Sequence, residues 1–147
     1  MTMDRGVESA RQVLKATFGV VPFLAGLDKF FNVLADWPRY LSPSAEAILP
    51  VTGQTFMYFA GVVEMVVGIA ILTRWTRIGS YVAAAWLVAV AANLVAAGIL
   101  DVAVRDLVMA TAAYTLARLT EAHESASAHT TSSVEPSEPR ARLGQVA

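Results

Sequence analysis

Apolar residues dominate four successive stretches of this chain, and polar residues gather near their ends rather than along one face. The clearest stretch, Ile78 to Leu100, holds no Asp, Glu, Lys or Arg over 23 residues. At 1.5 Å per residue that is about 35 Å of helix, enough to cross a hydrocarbon core about 30 Å thick. Helix is the expected state of every stretch, because a segment in lipid must satisfy its own backbone hydrogen bonds. The pattern predicts an all-α, polytopic membrane protein, a four-transmembrane-helix bundle with spans at about 11–35, 52–73, 78–100 and 101–119. Residues 1–10 form an arm before it. The tail, 120–147, is rich in Ser, Thr, Glu, Pro, His and Ala and is expected to be disordered. A soluble four-helix bundle is the competing reading, but amphipathic helices would show a polar face, and none of these stretches has one.

Basic residues orient the bundle. Arg5, Arg11, Lys15, Arg74, Arg77, Arg118, Arg140 and Arg142 fall on one side, against Arg39 and Arg105 on the other. Eight against two places both termini in the cytoplasm of a multi-pass protein of the inner or plasma membrane. Trp37 and Tyr40 mark the outer interface and Trp75 the inner one. The basic start before Ala16 to Leu27 also resembles a signal peptide, but no small-x-small cleavage site follows, so a retained segment is expected. Pro22 removes a backbone donor from span 1 and is a candidate kink.

Composition narrows the chemistry. Hydrophobic residues make up 56% of the chain and charged ones 16%, and a net charge of −1 points to no nucleic-acid partner. Without cysteine there is no disulfide, thiolate metal site or iron–sulfur ligation from this chain. The only histidines, His123 and His129, lie in the tail, so no haem is held by paired histidines within the spans. No catalytic residue, metal site or covalently held cofactor is expected.

What remains is a buried polar set. Asp28, Lys29, Glu64, Arg105 and Asp106 lie inside stretches that are otherwise apolar. Charges at bilayer depth cost about 2.5–3.5 kcal/mol each on insertion scales, so they are normally paired and mark a functional centre. With Asn93 they draw polar groups from four spans into the outer half of the bundle, as a ligand-binding or proton-handling site. Glu64 is the deepest carboxylate. Three acids against two bases leave one carboxylate short of a counter-charge, which makes Glu64 the candidate for proton handling, or for a bond to Asn93. Lys29 has Glu64 and Asp28 competing for it; a bond to Glu64 would join spans 1 and 2. The plainer readings are snorkelling by Lys29, a helix-start role for Asp101, and pairing of Arg105 with Asp28, Asp101 or Asp106 to hold spans 1 and 4. Gly19 and Gly26, and Gly61 and Gly68, are heptad pairs that favour close helix packing. Trp86 lies a heptad from Asn93 and is read first as a core or lipid-facing residue.

Three motifs carry a resemblance. Gly26-Leu27-Asp28-Lys29-Phe30-Phe31-Asn32, followed by Trp37, Tyr40-Leu41 and Pro43, resembles the first-helix signature of DoxX-like integral membrane proteins. Gly61-Val62-Val63-Glu64 with Gly68 is similar to that family's second helix, and Asp101 to Leu107 with Leu116 to Leu119 to its fourth. The resemblance implies a four-helix membrane bundle whose relatives are linked to quinol-oxidising or sulfur-oxidising complexes, or to membrane-associated oxidoreductase assemblies. The leading expectation is an accessory or anchoring subunit of a quinone-linked oxidoreductase system, with redox-complex subunits as partners besides the bilayer. Quinone is the cofactor it implies, and the residues it carries over are Lys29, Glu64, Arg105 and Asp106, then Asp28. On this expectation the cluster binds a quinone or lipid headgroup, chiefly through Glu64 and Arg105. Two alternatives stay open: a small-molecule or proton-coupled transporter or channel, whose narrow path would need a homo-oligomer, and a ligand-free scaffold or assembly factor.

Overall fold

A computed structural model describes residues 2–133. Among them the chain is helical, with no strand. Four long helices, α1 (Thr2–Asp28), α3 (Gly53–Leu72), α4 (Thr76–Ala96) and α5 (Leu100–Ser133), are accompanied by a short α2 (Pro43–Ile48) and a 3-10 turn at Trp37–Tyr40. Helix α1 packs chiefly on α3, and α4 chiefly on α5. Contacts of α3 with α4 and of α1 with α5 join the two pairs.

Local chemistry sets the helix ends. Thr52 accepts a hydrogen bond from the Thr55 backbone N–H at the start of α3, and Ser42 accepts from Ala45 at the start of α2, where Pro43 fits the first turn. At the α3–α4 turn, the Thr76 hydroxyl donates to the carbonyls of Ile71 (2.8 Å) and Thr73 (3.0 Å), which lack helical partners. Helix α4 ends in a Schellman motif. Gly98 has φ +77°, the Ile99 N–H reaches the Leu94 carbonyl and the Gly98 N–H reaches that of Val95.

The helix bounds depart from the expected spans in three places. First, α1 begins at Thr2 and runs through Pro22, so the arm 1–10 is largely helix. It then stops at Asp28 rather than near Ala35. The stop follows from Asp28 itself, whose carboxylate accepts the backbone N–H groups of Val33 and Leu34, each at 3.0 Å, while Asn32 turns the chain at φ +52°. Second, α4 starts at Thr76 and ends at Ala96, ahead of Leu100. Third, α5 passes Leu119 and continues to Ser133. No Gly or Pro interrupts that extension. Its first turns are held by Tyr81 on Glu121 (2.9 Å), Arg77 on Glu124 (3.2 Å) and His123 on Glu8 (3.4 Å). The remainder of the expected disordered tail lies outside the described residues.

Two helices, α3 and α4, are long and apolar enough to cross a membrane. Only 28% of the apolar window of either is buried within the protein, and Phe59, Val66, Ile69, Val88 and Val95 are turned outward. The interior is small: Phe18, Val67, Ile71, Ala83, Ala113 and Leu116 form its continuous core. Glycine makes the α1–α3 contact possible. A Cβ on Gly26 would stand 2.5 Å from the Gly61 carbonyl oxygen, and one on Gly61 equally close to that of Gly26. Gly68 faces the Gly19 carbonyl at the same 2.5 Å. The residue numbers sum to 87 in both pairs, so the two heptad steps run in antiparallel register.

Gly61→Ala is expected to destabilise the protein by about 1–3 kcal/mol, since backbone rather than a flexible side chain must give way. Gly6→Ala, which meets nothing within 4 Å, is expected to be neutral or stabilising by up to about 1 kcal/mol. Thermal unfolding of both variants in one detergent, followed by circular dichroism, checks the contrast. A separate expectation concerns Glu8, whose carboxyl is held down at about 2 by hydrogen bonds from Arg11 and then Gln12. Its folded value lies below the ordinary value of 4.5, so its contribution is present above about pH 4.5 and disappears as pH falls through about 2. Glu8→Gln should flatten that part of the stability–pH curve.

Candidate functional site

The end of α1 and the chain that follows it build the polar centre. Lys29 is 4% exposed and turns inward instead of snorkelling. Its Nζ lies 2.6 Å from Glu64 Oε2 on α3, joining the two helices. The same ammonium stands 3.8 Å from the centre of the Trp37 ring, within range of the negative face of the indole. Trp37 is fixed from its other end, because its Nε1–H donates to Asp28 Oδ2 at 2.8 Å. Asp28 thereby folds the loop with its two backbone bonds and sets the aromatic ring over its neighbour Lys29.

Helix α4 closes the other side. Trp86 Nε1–H donates to Glu64 Oε1 at 3.3 Å, so one carboxylate oxygen is held from α4 and the other from the residue that follows α1. One heptad further along α4, Asn93 clamps the loop between α1 and α3. Its Nδ2 donates to the Tyr40 carbonyl at 2.7 Å and its Oδ1 accepts the Ser42 N–H at 3.0 Å. Ser42 is 1% exposed, so this clamp works away from water, where a hydrogen bond is stronger and an unmade one more costly. Asn93 serves the loop and is not the partner of Glu64.

The structure thus brings Asp28, Lys29 and Glu64 into one connected set, and Asn93 holds the neighbouring loop that carries Tyr40 and Ser42. Arg105 stands apart. Its side chain is 67% exposed, and its contact is with the next residue, Asp106, at 3.6 Å. Asp106 is buried and feels the charge of Lys29, so it borders the cluster from α5 without bonding to it. Three contributors were not among the residues chosen from sequence. Trp37 and Trp86 bind the ion pair and Ser42 anchors the clamp. Trp86 did carry a signal, its heptad spacing from Asn93; a long indole on that face reaches the carboxylate level of α3. Among the described residues, no group of three or more His, Cys, Asp or Glu is placed to hold a metal. No buried side-chain nitrogen or oxygen among them lacks a hydrogen-bond partner.

Chemically, the centre offers two donors, an ammonium and an indole N–H, aimed at one acceptor position now filled by Glu64. Trp37 walls that position with an aromatic face. No family model, curated protein or solved structure matches this chain.

Lys29→Met strands the Glu64 carboxylate and is expected to cost about 3–5 kcal/mol. Adding Glu64→Gln should recover most of the loss, because it removes the stranded charge. Denaturation midpoints of the wild type, both single variants and the double variant in detergent measure the coupling. Arg105→Gln, which changes an exposed side chain, should shift the midpoint by no more than about 0.5 kcal/mol.

Proposed function

We propose that this chain is an accessory or anchoring subunit of a quinone-linked oxidoreductase system, of the DoxX-like kind that its motifs resemble. In this reading α1, α3, α4 and α5 all cross the inner or plasma membrane, with both termini in the cytoplasm. The apolar faces that α3 and α4 turn outward support insertion, since a soluble protein of this size would cover them. The observation that carries the proposal is the convergence of Lys29 and Trp86 on Glu64 beneath Trp37. A quinone carbonyl accepts hydrogen bonds, and its ring stacks on an indole face, so the headgroup fits these donors. The ammonium has three N–H donors and bonds one carboxylate here, which leaves capacity for a carbonyl oxygen. A lipid headgroup oxygen uses the same donors.

A ligand-free scaffold is the second reading. It is favoured by the complete pairing of the buried polar side chains among the described residues, which suffices to fix helix register. Transport is less well supported: Phe18, Val67, Ile71, Ala83, Ala113 and Leu116 pack into a continuous apolar core on the far side of the cluster.

Quinone extraction from the purified full chain decides between the first two. Near-stoichiometric quinone in lipid extracts of the wild type, lost in the Lys29→Met and Glu64→Gln double variant, is the expected result. Extracts without quinone from a well-folded wild type would favour the scaffold. Topology is tested by a reporter fused after Ala147 and another inserted at Ser44. The first should report the cytoplasm and the second the exterior; an external Ala147 contradicts the four-span arrangement.

A further inference from the structure

We infer that the turn between α3 and α4 binds the phosphate headgroup of an anionic phospholipid. This rests on the membrane insertion of α3 and α4 proposed above, but not on the quinone. A cleft of about 380 Å³ lies at the turn, lined by Arg74, Trp75, Arg77, Ile78 and Glu124. That volume falls at the lower end of small-ligand pockets, suited to a headgroup rather than a large cofactor. The site is about 15 Å along α3 from Glu64, ten residues at 1.5 Å each, and so is separate from the polar centre.

Its chemistry is mixed in the manner of a bilayer interface. Trp75 and Ile78 are each 52% exposed, an amphipathic ring and a branched aliphatic chain beside two arginines. Indole rings settle at headgroup level, and a guanidinium presents a fork of N–H donors that matches phosphate oxygens. The Arg77 guanidinium meets Glu124 Oε2 at 3.2 Å through one nitrogen, which leaves donors for a second anion. The Arg74 guanidinium lies 5.9 Å from the Trp75 ring centre. Lys15 adds a third cation at the turn, with its Nζ donating to the Thr73 carbonyl at 3.2 Å. Arg74, Arg77 and Lys15 against Glu124, the acid of the lining, leave a local charge of +2, and Arg11, which also faces Glu124, is balanced by Glu8; this selects anionic over zwitterionic lipid. Glu124 opposes the ligand. Its removal should therefore improve binding, an effect that loss of structure would not produce.

The test uses the full chain in zwitterionic micelles, titrated with brominated phosphatidylglycerol and, separately, brominated phosphatidylcholine. Quenching of tryptophan fluorescence is read, and Trp75→Phe identifies the share due to Trp75. Phosphatidylglycerol should quench at the lower concentration. Arg74→Gln with Arg77→Gln should raise that midpoint by about thirtyfold. Glu124→Gln should lower it by about threefold. Equal midpoints for the two lipids, or an unchanged midpoint in the double-arginine variant, overturn the inference. If that variant does not fold, Glu124→Gln decides alone, and an unchanged midpoint overturns it. Inorganic phosphate at matched ionic strength should not compete; displacement by it assigns the cleft to a free anion and overturns the lipid site. Alkaline carbonate extraction of the source membranes tests the insertion on which both proposals rest. Release of the protein to the supernatant overturns this inference along with membrane insertion. A quinone-free extract with retained phosphatidylglycerol preference leaves it standing.

Discussion

Lys29 and Glu64 meet at 2.6 Å because α1 and α3 come together backbone to backbone at Gly26 and Gly61, each three residues before its charged partner. Three residues is close to one helical turn, so each charged side chain stands on the same face as its glycine. A Cβ on Gly26 would sit 3.1 Å from the Glu64 Cβ, and one on Gly61 3.2 Å from the Lys29 Cβ. The glycine contact and the ion pair are therefore one feature. Helices held further apart by larger residues would break the pair, and a charge left buried without its partner costs several kcal/mol.

The rest of this end of the bundle is organised around that pair. Trp37 lies over the ammonium, Asp28 holds Trp37, Trp86 holds the second oxygen of Glu64, and Asn93 ties down the loop carrying Tyr40 and Ser42. These links join residues from α1 and the chain after it to α3 and α4, join α3 to α4, or tie the end of α1 to the loop that follows. The opposite end is built differently. There the ties between α1, α4 and α5 involve exposed or half-exposed side chains, such as Arg77 with Glu124 and His123 with Glu8, which salt screens and which contribute little each. A rigid, desolvated centre faces one way and a solvated charged rim the other. Ligand recognition by fixed donors suits the first, and attraction of anions suits the second.

Much of this was legible in the sequence, for identifiable reasons. Helices α3 and α4 stand out because a long uncharged run has few alternatives, and their bounds fall within four residues of the expected spans. The heptad glycines signalled close packing, and Glu64 was one of the two acids, with Asp28, that the sequence offered to Lys29. Arg105 misled because helix start and charge type say nothing of direction; its side chain projects outward while Asp106, the next residue, turns in. The end of α1 was hidden for another reason. Phe30, Phe31, Val33 and Leu34 continue the apolar run, and only the side-chain bonds of Asp28 to the backbone reveal that the helix has stopped. The extension of α5 beyond Leu119 depends on contacts with Glu8, Arg77 and Tyr81, distant residues that composition does not see.

The central claim is that a buried ion pair joins α1 to α3, and it can be measured as a distance. The chain has only two lysines, Lys15 and Lys29, so labelling lysine Nζ with nitrogen-15 and glutamate side chains with carbon-13 gives a spectrum of two ammonium signals. Rotational-echo solid-state NMR of the full chain in bilayers should show strong dephasing of one signal by a glutamate carboxyl, as the 2.6 Å contact requires, with loss of that dephasing in Glu64→Gln. If neither lysine dephases in the wild type, the pair does not exist in the membrane and the site built on it must be abandoned.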